Sequence, residues 1–185
     1  EGSVVLQARL LERGDGWLYE SPISRFDPTD QARPFVRGDA GSKGVAPYAK
    51  HPLYPIVIAA AERIGGTVGV GMVGVLATLG AALLAALLAR RLGSQDDRVV
   101  LWLVGVGSPL FFDTYLVLAH GLAAAMVTAA FVLAVIYGRG GQSYLHAVLT
   151  LVGILLAVMV GAMFRTEAIF VGPAIGFVAL ILFGL

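Results

Sequence analysis

The chain has 185 residues, 58% of them apolar and only 14% charged, with a formal net charge of +1 and a mean hydropathy of +0.84. That balance excludes an ordinary water-soluble domain, and with no basic stripe to neutralise phosphates it argues against a nucleic acid partner. The absence of cysteine excludes a disulfide framework and a thiolate metal site.

Charge is segregated along the chain. Residues 1–52 hold seven Lys/Arg and seven Asp/Glu, whereas from Val99 onward only Asp113, Arg139, Arg165 and Glu167 remain. We therefore expect a polar region, 1–55, and a membrane-embedded region, 56–185. The expected fold class is an all-α integral membrane protein: a multi-spanning helical bundle with a polar extracytoplasmic first loop carrying short interfacial helices.

Glu1 opens the chain with neither Met nor a signal-peptide pattern, and Ile181-Leu182-Phe183-Gly184-Leu185 closes it inside an apolar run. Both ends are expected to be cuts through a longer membrane protein, and such a fragment is expected to be inactive alone. An amphipathic run, Val4 to Leu11, follows the start. Turn formers such as Gly14-Asp15-Gly16, Ser21-Pro22 and Arg37-Gly38-Asp39 then punctuate the polar region.

In Tyr48-Ala49-Lys50-His51-Pro52-Leu53-Tyr54-Pro55, two prolines restrict the backbone around Lys50 and His51. This holds two cationic groups at the depth of lipid phosphates; the alternative is an ordinary membrane-entry anchor. Residues 55–64, interrupted by Glu62-Arg63, are too short to span and predict an interfacial helix. Residues 67–89 predict a span closed by Arg90-Arg91, and the glycines at 65, 66, 69, 71 and 74 suit close helix packing. Another run begins at Val99 and is interrupted by Ser108-Pro109; 122–137, 145–164 and 168–185 follow. This makes about five membrane-embedded segments, helical because lipid satisfies no backbone groups, with roughly 20 residues needed per crossing.

The short loops orient these runs. Arg90, Arg91 and Arg98 share a side with Arg139 if each intervening run crosses once, and the positive-inside rule makes that side cytoplasmic. The N-terminal region, residues 108–120 and the Arg165-Thr166-Glu167 turn then lie outside. Asp113, His120, Arg165 and Glu167 thereby join Glu1, Lys50 and His51 on one face. Ionisable groups at membrane level are expensive and point to function. Asp113 can also be read as a solvated loop acid and His120 as a helix-capping interfacial residue. Arg165 either forms a solvated pair with Glu167 or faces an anion within the bundle, and we expect the latter. His146 reads as a cytoplasmic interfacial residue. Gly105-Val106-Gly107 lacks the context of a phosphate loop, and no His, Asp and Glu stand at zinc spacing.

Taken in order, these motifs resemble the GT-C multi-spanning glycosyltransferases, in the branch similar to protein O-mannosyltransferases and lipid A aminoarabinose transferases. Those enzymes carry an acidic motif, often Asp-Glu, after their first span. A long outer loop returns through a Lys/His-Pro-Pro-Leu-like stretch, and the next span ends in a basic pair. Here stand Glu1-Gly2-Ser3, Lys50-His51-Pro52-Leu53-Tyr54-Pro55 and Ala89-Arg90-Arg91-Leu92-Gly93. Ser108-Pro109-Leu110-Phe111-Phe112 leading to His120-Gly121, and Phe164-Arg165-Thr166-Glu167-Ala168, look like elements of bacterial members. The leading Asp is not in the chain, and Pro52-Leu53 stands where the family has Pro-Pro.

The resemblance implies sugar transfer from a polyprenyl-phosphate-linked donor to a glycan, lipid or protein acceptor, amid membrane lipids, at the outer face of a bacterial inner membrane. The Gly/Ala-rich spans also suit a bacterial source. Lys50, His51 and Arg165 would bind the donor phosphate. Glu1 would act in catalysis or help hold a divalent cation, Mg or Mn. Asp113 and His120 would be further catalytic candidates, with Tyr48 and Glu167 lining the cavity. The alternatives are a secondary transporter or flippase for a lipid-linked or anionic substrate, and a non-catalytic membrane scaffold.

Overall fold

The computed structural model describes residues 2–17, 36–38, 45–47, 51, 53–138 and 143–183. Its elements are α1 (Gly2–Arg13), a two-stranded antiparallel ribbon of β1 (Val36–Gly38) and β2 (Val45–Pro47), α2 (Leu53–Arg91), α3 (Asp97–Gly105), α4 (Pro109–Asp113), α5 (His120–Gly138), α6 (Tyr144–Phe164), a 3₁₀ turn at Thr166–Phe170, and α7 (Val171–Phe183). Three helices, α2, α5 and α6, are long and apolar enough to cross a membrane. Large apolar side chains such as Val68, Leu76, Leu155 and Met159 stand exposed along α2 and α6, a surface that water would not tolerate. The chain is accordingly a membrane-associated protein. It divides into two compact units, Glu1–Val70 and Gly71–Leu185, with the division inside α2.

In the first unit, α1 buries Gln7, Ala8 and Leu10. Gln7 is fully enclosed, and its Nε2 donates to the carbonyl of Gly16 at 3.1 Å. Arg9, on the exposed side, reaches Glu62 of α2 at 3.1 Å. The first part of α2 contributes buried Tyr54, Pro55 and Ile58; Pro55 is tolerated there because first-turn amides lack intrahelical partners.

α2 is 39 residues long but not one straight helix: Gly66 sits at φ 58° and ψ −145°, a conformation that L side chains rarely adopt. The bend brings the backbone at Gly69 so close to the Ala61 carbonyl that a Cβ there would overlap it. The expected break between 55–64 and 67–89 thus falls at this kink. Gly69 serves the bend and Gly74 a close approach of the Thr114 backbone, while Gly65 and Gly71 face open space.

α2 ends at Gly93, with the Ser94 amide bonded to the Ala89 carbonyl and the Gly93 amide to that of Arg90. These paired bonds satisfy the last carbonyls and need the positive φ of 94° at Gly93.

The run from Val99 is interrupted at Ser108-Pro109, as the sequence predicts. It forms the nine-residue α3 and the five-residue α4, because Ser108 and Pro109 do not continue the helix that ends at Gly105. Both pieces ascend α2 antiparallel to it. Arg90 pairs with Asp97, a Cβ at Gly105 would meet Ala82, and the Thr78 hydroxyl donates to the Leu110 carbonyl.

α5 and α6 form a tight antiparallel hairpin. Its core is Ala130, Ala157 and, from α7, Ile175, with Phe131, Ile154 and Val171 packed around it. α6 starts at Ser143, whose side chain accepts from the His146 amide, and this places His146 in the first turn. The apolar run 168–185 was expected to be a single segment; it opens as the 3₁₀ turn and becomes α-helical only at Val171.

Candidate functional site

The site in the second unit is built from the break between α3 and α5. Ser108 caps α4 by accepting from the Leu110 amide at 3.3 Å while donating to the Val104 carbonyl at 2.6 Å. Pro109 follows at the first helical position, where its missing N–H is harmless. Phe111 meets Phe112 and Tyr115 edge to face, each at 5.6 Å. The short helix ends at Asp113, and turns through residue 117 return the chain to His120.

Two features of α2 fix this segment: Thr78, which did not stand out in the sequence, and Gly74, which did so only as one of several packing glycines. Buried Thr78 holds the Leu110 carbonyl at 3.1 Å. Gly74, one helical turn earlier, lets the Thr114 backbone approach to where a Cβ would lie 3.0 Å from its Cα and oxygen. The sequence signal was a lone hydroxyl four residues after a glycine in an Ala/Leu-rich span, the spacing of one helix face.

Asp113 and His120, seven residues apart, meet here. His120 Nδ1 lies 2.8 Å from Asp113 Oδ2, with the side chains 34% and 17% exposed. An ionised carboxylate only accepts, so opposite one the ring presents Nδ1–H, and in the neutral imidazole Nε2 is then the unprotonated nitrogen. This is the arrangement of a base whose orientation is set by a carboxylate.

Arg165 belongs to the same end of the unit. In the α5–α6 hairpin Gly153 faces Leu133, and Gly161 faces Met126 and Ala123; one further turn along each helix brings Arg165 level with His120. Arg165 caps α6 in an extended conformation and pairs with Glu167, Nε to Oε2 at 3.3 Å and Nη2 to Oε1 at 3.4 Å. It therefore forms the half-exposed pair flanking a turn, rather than facing an anion inside the bundle. Such a pair contributes only about 0–1 kcal/mol, so exchanging Glu167 for another anion requires little free energy. Exposed Phe112, Tyr115 and Phe170 stand on α4, the turn after it and the 3₁₀ turn, the aromatic composition of a membrane interface.

Glu1, Tyr48 and Lys50 lie outside the described residues. His51, in the first unit, is buried rather than presented at the surface. Among the described residues no three of His, Asp and Glu come together as metal ligands. Asp113 and His120 supply two donors, already committed to one another on one side, and do not by themselves fit a divalent cation.

Comparison of the chain with known protein families, with curated proteins and with solved structures finds no match in any of the three.

Proposed function

We propose that the chain is part of a glycosyltransferase that moves a sugar from a polyprenyl-phosphate donor to an acceptor at the outer face of a bacterial inner membrane. The observation that carries this reading is the Asp113–His120 pair, at the opposite end of its unit from the arginines at 90, 91 and 98. Gly74, against which the residue after Asp113 packs, is 16 residues of helix from Arg90, about 24 Å. With Arg90 at the cytoplasmic boundary and hydrocarbon about 30 Å thick, the pair lies within the outer half of the membrane. An ionisable pair at that depth points to function.

In this reading His120 Nε2 takes the proton of the acceptor hydroxyl as its oxygen attacks the anomeric carbon. The bond from that carbon to the phosphate oxygen breaks, and the phosphate leaves with the electron pair. Arg165, released from Glu167, stabilises the charge that develops on it. The family resemblance also implies a donor-phosphate role for Lys50 and His51 of the first unit. The resemblance likewise implies a catalytic role for Glu1 and cavity-lining roles for Tyr48 and Glu167.

Membranes bearing the intact protein, supplied with radiolabelled polyprenyl-phosphate sugar, test the reading. Asp113→Asn and His120→Ala are expected to lower transfer by about 10²–10⁴-fold while membrane insertion persists. Wild-type rates in both variants sink it.

One observation favours the transporter alternative: the interruption between α3 and α4 places non-helical backbone beside ionisable groups, as discontinuous transporter helices do. Movement of a lipid-linked substrate across sealed vesicles, with no sugar transfer, would select that function instead.

A further inference from the structure

The far end of the second unit carries a different kind of site, independent of the catalytic reading. Between α2 and α3 runs a groove of about 240 Å³, lined along its length by Leu83, Ala86, Leu87 and Leu101 and closed at one end by Arg90, Asp97 and Arg98. Its body is apolar and its mouth is cationic. Arg90 is held in place by Asp97, with Nε 2.7 Å from Oδ2. Arg98, exposed in the first turn of α3, forms no ion pair among the described residues. Arg90, Arg91 and Arg98 set against Asp96 and Asp97 leave one net positive charge at this end. The N-terminus of α3 adds the positive end of its dipole.

An apolar slot beside a spanning helix, with an exposed guanidinium where headgroups lie, matches a molecule having a hydrocarbon chain and a phosphate. A zwitterionic lipid leaves the net charge uncompensated, whereas an anionic one balances it. We propose that this groove holds one anionic phospholipid, with an acyl chain against Leu83, Leu87 and Leu101 and its phosphate on Arg98. Ala86 leaves the width the chain occupies, and Arg90, oriented by Asp97, forms the second wall of the headgroup pocket.

Native mass spectrometry of the intact protein, titrated with phosphatidylglycerol or phosphatidylcholine, tests this. We expect one phosphatidylglycerol to be retained in preference to phosphatidylcholine. Arg98→Gln, an exposed change that leaves the fold intact, should weaken phosphatidylglycerol about fivefold and leave phosphatidylcholine unchanged. Ala86→Leu, which fills the slot and keeps every charge, should weaken both lipids, with circular dichroism confirming an unchanged helix content. Equal retention of the two lipids, or an Arg98→Gln protein that still prefers phosphatidylglycerol to the same degree, overturns the headgroup assignment. An Ala86→Leu protein that binds phosphatidylglycerol as tightly as wild type overturns the acyl-chain assignment.

Discussion

Gly74→Ala offers a direct probe of how α2 holds the candidate site. A Cβ at this position would stand 3.0 Å from both the Cα and the carbonyl oxygen of Thr114, and 3.4 Å from its carbonyl carbon. All three are backbone atoms, so no rotamer change relieves the contact; the chain beside Asp113 has to move by a few tenths of an ångström. Overpacking of this kind destabilises by about 1–3 kcal/mol. Alanine also gains about 0.5–1 kcal/mol over glycine in a helix, which a matched control removes. Gly71, on the same helix, has nothing within 4 Å of its Cβ position. The difference between Gly74→Ala and Gly71→Ala therefore isolates the contact, at about 1–3 kcal/mol. Reversible unfolding in mixed micelles, followed by circular dichroism, measures it. Because the clash is with backbone, adding Thr114→Ala should not restore stability. The displaced Asp113 should also lower sugar transfer in Gly74→Ala but not in Gly71→Ala. Equal stability of the two variants, or rescue by Thr114→Ala, would refute the contact argument.

Two adjacent glycines predict effects of opposite sign. Gly66→Ala forces an L side chain into φ 58° and should destabilise by about 1–3 kcal/mol, whereas helical Gly65→Ala should stabilise by about 0.5–1 kcal/mol; thermal unfolding of both proteins checks the pair. At the other end of α2, the Arg90 hydrogen bond holds the Asp97 carboxyl below the ordinary carboxylate range. Its contribution to stability is present above the unfolded carboxyl's range and is lost as pH falls through the depressed folded value. Arg90→Gln should return Asp97 toward the ordinary range, and a carboxyl NMR titration that still finds it depressed would contradict this.

Several features were legible in the sequence because they depend on local rules. The runs over 67–89, 122–137 and 145–164 correspond closely to the long helices, since sustained apolarity has few other solutions. The interruption at Ser108-Pro109 was equally readable, because proline removes a donor and serine competes for backbone bonds. What stayed hidden depends on contacts distant in the chain. Nothing local to Asp113 or His120 announces a 2.8 Å contact; it requires the turn through residue 117, which is held by Thr78 and Gly74 some 40 residues earlier. The Arg165–Glu167 pair was hidden for a related reason. Spacing two apart excludes a shared helical face, but the chain leaves the helix at Arg165, and the extended conformation there lets both side chains turn toward one another.

The divided passage of α3 and α4 bears on how the protein is made. Under the proposed orientation, residues 97–113 traverse much of the bilayer, yet α3 offers only nine helical residues, too few to be recognised as a crossing by length and hydrophobicity. Its interruption exposes backbone groups that hydrocarbon would not tolerate alone, and Thr78 of α2 satisfies one of them. The segment therefore has to enter the membrane leaning on the helix synthesised immediately before it. During biogenesis α2 acts as a template, and the segment that carries Asp113 is delivered as its passenger.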